Sequence, residues 1–297
     1  MVDPPRPARK GALRVSELAL LVFLAGMSGL AWYHAGRVPV SICVTHLSIG
    51  VLFAVAALAL GEHREGWRYW ARELLPIPVV PYIYLSLGPL IPLVNPRVLD
   101  SSLLAADRAI LGAEAQAALY ALPLPGWWAD VLTLAYSLYF FLAVSLVIGL
   151  IMHRDPHLPQ VAAALVITFL VSYAGYFLVP AYGPRTTVAQ GRYATLPPGL
   201  VGVHVRSLLD NWEKTKTDAF PSGHTMVTLA VLFCARRRLR GLYNVLLPVG
   251  ALLIAATVLL TYHYAVDVLA AVPLTAGSIG LAALLAGAIP PRAAPSG

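Results

Sequence analysis

Hydrophobic positions in this chain fall into long runs, not short alternating ones. Eight runs approach the ~20 mostly apolar residues that a helix needs to cross ~30 Å of hydrocarbon. They lie at about 16–36, 41–61, 74–94, 128–152, 159–180, 220–235, 242–262 and 265–288. The sixth is short, and Pro76, Pro78, Pro81 and Pro89 interrupt the third. No run shows the period-two alternation of a barrel strand. Helices are the other structure that satisfies its own backbone in lipid. The pattern therefore predicts an all-α polytopic bundle of about eight transmembrane helices.

Composition agrees. Of 297 residues 59% are hydrophobic and 12% charged, and the mean hydropathy is +0.73. Soluble domains carry about a quarter charged residues. The first apolar run follows a basic start but is too long for a signal peptide, so it is read as a retained span. Cys43 and Cys234 both fall in expected spans and offer no disulfide framework.

The net charge of +7 is unevenly placed. If eight spans alternate, one side receives Arg6, Arg9, Lys10, Arg14, Arg64, Arg68, Arg72, Arg154, Arg236, Arg237, Arg238, Arg240 and Arg292. These are thirteen of the 21 Lys and Arg residues. All but Arg37 of the rest lie in two long segments, where charge has less influence on topology. Both termini are expected to be cytoplasmic in a plasma (inner) membrane, with the basic loops touching anionic lipid headgroups. Dispersed juxtamembrane arginines do not make a nucleic-acid-binding face.

Two long segments lie on the other side. Residues 95–127 place Leu103, Leu104, Ile110, Leu111 and Ala118 at roughly helical spacing. They predict an amphipathic interfacial helix over 98–122, with Asp100, Asp107 and Arg108 facing water. Residues 181–219 form an outer loop of a length that is usually functional or disordered.

The candidate chemistry sits at span boundaries. "DAFPSGHTM" (Asp218 to Met226) sets a Pro-Ser-Gly turn and His224 at the start of a helix. Such a start favours an anion through its free N–H groups and partial positive charge. Ser222 and Gly223 are thus candidate phosphate binders, and His224 a proton donor to a phosphate oxygen. A plain helix cap would also explain Pro221, Ser222 and Gly223. "YHYAVD" (Tyr262 to Asp267) puts His263 and Asp267 four residues apart, on one helix face. An aspartate there can fix the imidazole tautomer and stabilise its positive charge. A structural His–Asp hydrogen bond is the simpler alternative, and a metal site lacks a third carboxylate. Asp267 is the sole acidic residue after Asp218. Arg185 follows "LVPAYGP", where prolines stiffen the exit of the fifth span, and a guanidinium there can grip phosphate bidentately. In the eight-span topology Arg185, His224, His263 and Asp267 all emerge on the non-cytoplasmic side.

"FPSGHT" followed by "YHYAVD" resembles the second and third signature motifs of the type 2 phosphatidic acid phosphatase superfamily. "FLVPAYGPR" is similar to the degenerate first motif of its inositol-phosphoceramide-synthase branch, as is "DRAILG" before the fourth span. The resemblance covers roughly residues 95–285. It implies a six-helix phosphatase-type core, no cofactor and no metal. It gives His263 as the nucleophile that forms a phosphohistidine and Asp267 as its orienting partner. His224 becomes the leaving-group acid, and Arg185, Ser222 and Gly223 hold the phosphoryl oxygens. Two cations of the superfamily pattern are missing: Leu178 and Thr257 stand at their positions. Lys214 and Lys216 are further candidates for phosphate or headgroup contacts, as are Arg192 and Arg206. The implied organisation is N-terminal spans at 1–94, a catalytic core at 95–288 and a cytoplasmic tail at 289–297. The expected activity is phosphoryl transfer from a lipid phosphate to water or to a lipid or sugar alcohol. The competing expectation is a transporter in which the same histidines and Asp267 relay protons.

Overall fold

The computed structural model of the chain describes residues 12–63, 65–188, 202–212 and 215–291. Fourteen α-helices are found among them: α1 Val15–Tyr33, α2 Val40–Leu60, α3 Gly66–Leu74, α4 Pro76–Leu85, α5 Ile91–Val94, α6 Asp100–Leu111, α7 Ala113–Ala121, α8 Gly126–Ser137, α9 Tyr139–Met152, α10 Leu158–Leu178, α11 Gly202–Trp212, α12 Gly223–Arg238, α13 Arg240–Leu259 and α14 Ala265–Ala286. No strand occurs among the described residues, only the isolated bridges Ala35–Val38 and Ala181–Asp218. The chain is an all-α polytopic membrane bundle.

Five helices, α1, α2, α10, α13 and α14, are long and apolar enough to span a membrane. Helices α8 and α9, bent by 47° at Leu138, act as a sixth if taken as one broken span. Helix α12 has 16 residues and ends in Arg236, Arg237 and Arg238. The expected third span is not one helix. The chain leaves helical conformation after Leu85 and resumes only for Ile91–Val94. Pro89 supplies the reason, since it lacks an N–H and pushes Gly88 away from the α region. The expected interfacial helix over 98–122 is likewise divided, into α6 and α7, at Gly112 with φ +83°. The outer loop 181–219 contains helix α11, packed on α8 through the Gly202 N–H to Asp130 Oδ1 (2.7 Å).

Helix α10 is the centre of the bundle, with 67% of its most apolar stretch buried, against 22% for α2. It packs against α1, α12 and α14, while α12 also lies on α13 and α13 on α8. Small residues let the helices approach: a Cβ on Gly250 of α13 would come within 2.8 Å of Thr228 Cγ2 on α12. One end of the bundle is tied by charge. Arg238 grips Asp155 with two nitrogens (2.9–3.0 Å) and donates to the Pro290 carbonyl. Nearby, Arg14 bridges Glu62 and Glu73, and Arg72 pairs with Glu17. Breaking one such buried pair costs about 3–5 kcal/mol, so this end is fixed. At the opposite end three chain segments converge, and the candidate chemistry lies there.

Candidate active site

The three segments follow α10, precede α12 and join α13 to α14. Each is held by backbone bonds to another. Ala219 N–H donates to Ala181 O (3.0 Å), Arg185 N–H to Thr261 O (2.8 Å) and Ser222 N–H to Asp267 O (3.3 Å). Gly183 is required twice. Its φ is +90°, and a Cβ would meet the Tyr262 carbonyl at 2.3 Å. Thr261 is a non-glycine residue at φ +63°, a costly conformation concentrated at functional sites. It turns the chain so that the Tyr262 and His263 amides both donate to Thr257 O (3.0 and 2.9 Å) at the end of α13.

The Pro-Ser-Gly turn is fitted against α10. A Cβ on Gly175 would collide with Pro221, and one on Gly223 would lie 2.3 Å from the Tyr176 hydroxyl. Gly223 is therefore demanded by close approach to α10. Ser222 is the N-cap of α12: its hydroxyl accepts from Thr225 N–H (3.3 Å) and contacts Thr225 Oγ1 (3.0 Å). The hydroxyl is thus turned into the helix.

His263 is buried, and its Nδ1 lies 2.6 Å from the Ala219 carbonyl. An acceptor at that distance places the proton on Nδ1 and leaves the lone pair on Nε2. Asp267 Oδ2 stands 3.5 Å from the same Nδ1 and accepts the Tyr264 N–H at 2.8 Å. The carbonyl, not the aspartate, is the nearer tautomer-fixing group. Asp267 is fully buried, and its Oδ1 has no hydrogen-bond partner. A carboxylate left short of donors in this way keeps its negative field for a neighbouring cation.

The His224 and His263 ring centroids are 5.8 Å apart. Aromatic rings hold the pair in place. Tyr136 of α8 stacks on His224 (4.2 Å, 22°) and on Tyr262 (4.4 Å, 15°), and Tyr139 of α9 lies 4.2 Å from His224. On the Tyr262 ring sits the Arg185 guanidinium, with Cζ 4.7 Å from the centroid, within cation–π range. Arg185, His224, His263 and Asp267 are thus brought to one place. Asp218 lies close enough to feel the charges of Arg185 and His263, and it accepts a hydrogen bond from Tyr84 (2.7 Å). Burial raises its carboxyl above the usual range, against the opposing pull of Tyr84, Arg185 and His263.

The extra cations fare differently. Lys214 and Arg192 lie outside the described residues. Lys216 is exposed, and buried Arg206 donates to Thr133 Oγ1 (3.3 Å) on α8. Leu178, where the superfamily pattern has a lysine, is 69% exposed, and Thr257 is buried.

The structure corrects one expectation outright. Asp100 and Asp107 do not face water; both are buried, and only Arg108 is exposed. Asp100 accepts from the amides of Tyr182 (2.9 Å) and Gly183 (2.8 Å) and from the Tyr264 hydroxyl (2.8 Å). Asp107 accepts from the Tyr120 hydroxyl (2.6 Å) and the amides of Ala265 (3.1 Å) and Val266 (2.6 Å). The available signal was their seven-residue spacing. It puts both carboxylates on the same helix face as buried Leu103.

The PAP2 superfamily profile matches residues 101–281, well over half of the chain. Among curated proteins, a PA-phosphatase related-family protein of Dictyostelium discoideum is 32% identical over 125 residues. That stretch is 41% of this chain and 22% of the relative, so only a small part of the relative's length is spanned. No solved structure matches. The matched residues contain all of α6 but Asp100, α7 to α13, most of α14, both histidines, Arg185 and Asp267, and the chain belongs to the PAP2 superfamily.

Proposed function

We propose that the protein transfers a phosphoryl group from a lipid-linked phosphate through a phosphohistidine on His263. The observation that carries this is the pairing of His263, with Nδ1 on the Ala219 carbonyl at 2.6 Å, and His224, with its ring 5.8 Å away. Superfamily membership supports phosphatase-type phosphoryl transfer on lipid-like substrates.

In the first step the Nε2 lone pair attacks phosphorus, and the bond from phosphorus to the lipid oxygen breaks. His224, charged once the phosphate anion binds beside it, gives its proton to that leaving oxygen. The phosphorylated ring is cationic, and the Ala219 carbonyl and the Asp267 carboxylate behind it stabilise the charge. Arg185 and the amides of Gly223 and His224 hold the equatorial oxygens. Those two amides donate to no protein acceptor among the described residues. In the second step neutral His224 takes a proton from water or an alcohol, whose oxygen attacks phosphorus and releases His263. Water gives a lipid phosphate phosphatase, and a lipid or sugar alcohol gives an inositol-phosphoceramide-synthase-like phosphotransferase. No step uses a metal or cofactor. The proposal places the site on the non-cytoplasmic side of a plasma membrane, following the arginines of the opposite end.

The transporter alternative calls for ionisable groups near the bilayer midplane in paired broken helices. Here His224 opens α12, Asp267 lies in the first turn of α14, and Arg185 and His263 lie in connecting segments. The deciding experiment follows phosphorus NMR of the purified protein with phosphatidic acid, a polyprenyl pyrophosphate, and phosphatidylinositol plus ceramide. Free phosphate identifies a phosphatase and a new phosphodiester a transferase. No turnover of any of them would refute the assignment.

A further inference from the structure

We infer that Asp100 and Asp107 are positioning residues for phosphoryl transfer, with α6 as a brace that sets Arg185 and His263 in register. The inference rests on the function proposed above and adds residues that its mechanism does not use.

Helix α6 looks peripheral in sequence, yet its inner face makes bonds of a particular kind. Each aspartate accepts three hydrogen bonds, and every donor lies outside α6. Asp100 takes two successive amides of the segment that ends in Arg185. Asp107 takes the first two amides of α14, those of Ala265 and Val266, between His263 and Asp267. Tyr264 ties the two together: its hydroxyl donates to Asp100 and contacts Thr187 Oγ1 (2.9 Å), and its ring packs edge-on against Tyr120, the donor to Asp107. Leu103 fills the space between them with Tyr120, Ala181, Ala219 and Tyr264. Ala219 supplies the carbonyl that holds His263 Nδ1. The Leu99 N–H to Pro180 O bond (2.8 Å) pins the start of α6 to the same segment.

Burying two carboxylates is costly unless every oxygen is matched. A helix that only lay on the membrane surface would gain nothing from it. What these bonds fix is the relative position of two chain segments that are 78 residues apart (263 − 185). Misplacement of reacting groups by 1 Å costs about 100-fold in rate, so the brace acts on catalysis through geometry. The two aspartates also divide the work: Asp107 bears on His263 and Asp267, and Asp100 on Arg185.

The test measures kcat and KM for whichever lipid of the three-member panel the wild-type protein turns over, alongside His263→Ala. Asp107→Asn keeps the shape but removes the charge and one acceptor. It is expected to lower kcat about 10- to 100-fold with KM changed less than about 2-fold. Asp100→Asn should do the reverse, raising KM about 5-fold or more with a smaller loss of kcat. Tyr120→Phe and Tyr264→Phe remove single donors and guard against misfolding of the aspartate variants. Each is expected to lower kcat/KM about 2- to 5-fold. Hydrogen exchange at residues 181–187 and 264–267 should quicken in the aspartate variants. If Asp107→Asn melted earlier but its folded fraction kept wild-type kcat, the carboxylates would be fastenings only and the inference overturned. That result beside an inactive His263→Ala would leave the proposed function standing. A wild-type protein inactive on the whole panel would remove both.

Discussion

Two helix starts lie side by side in the site, joined by the Ser222 N–H to Asp267 O bond, and they are finished in opposite ways. At α12 the Ser222 side chain caps Thr225 and its carbonyl takes Met226. The amides of Gly223 and His224 have no protein acceptor among the described residues. At α14 every early donor is taken: Tyr264 N–H by Asp267, and Ala265 and Val266 N–H by Asp107. The first start is an open positive end beside Arg185. The second is closed and carries two carboxylates behind His263. Helix ends carry about half an elementary charge of partial charge. Leaving one without a protein acceptor and neutralising the other therefore polarises the space between the histidines. An anion is drawn to the α12 side, and a cationic imidazole is stabilised on the α14 side.

The largest effect expected from breaking this arrangement is loss of the proposed nucleophile. His263→Ala should reduce turnover about 10⁴-fold or more, and His224→Ala about 10²- to 10⁴-fold, both read by phosphorus NMR. Equal activity in either variant would remove that histidine from the mechanism. Next comes the open start itself. Gly223→Ala drives a methyl group into the Tyr176 hydroxyl and should cost about 10- to 100-fold in kcat/KM through displacement of the turn. Adding Tyr176→Phe makes room and should restore part of the loss; a double variant no better than the single one would mean that the collision is not the cause.

Smaller effects sharpen the picture. Ser222→Ala removes the cap and should lower unfolding free energy by about 1 kcal/mol. Unchanged stability would mean that the hydroxyl faces the site after all. The smallest effect is electrostatic. The Asp218 carboxyl is raised in the folded protein by burial, so its folded form holds a proton more tightly than its unfolded form. Its contribution to stability is complete below about pH 3.9 and is lost as pH rises through the folded value. Asp218→Asn should therefore gain in melting temperature relative to wild type between pH 4 and 7. A difference that does not vary with pH would contradict this.

Much of the site was legible in the sequence because its residues sit where polar side chains are anomalous. His224, His263 and Asp267 interrupt apolar runs; spacing put His263 and Asp267 on one helix face, and the roles expected of the three came from the family resemblance. Asp100 and Asp107 were misread for the opposite reason. On an amphipathic helix a carboxylate is ordinary; the face shared with Leu103 was a signal of burial, but nothing local names the amides, more than 75 residues away, that the two carboxylates receive. The Ala219 carbonyl left no trace in side-chain patterns, so Asp267 was expected to take the nearer place at Nδ1. In the fold, the long apolar helices were clear from period and length. The prolines of the run at 74–94 were visible as interruptions, but hydropathy counts residues and does not say which proline ends the helix. Helix α11 was hidden within a polar loop because its stability comes from packing on α8.

The central claim is that His263 attacks through Nε2 while Nδ1 stays on the Ala219 carbonyl. Rapid quenching of the working enzyme under alkaline conditions, followed by mass spectrometry and NMR of the modified histidine, tests it most directly. The account predicts acid-labile phosphate on Nε2 of His263, absent from His263→Ala. Phosphate on Nδ1, on another residue, or on none during active turnover would contradict it.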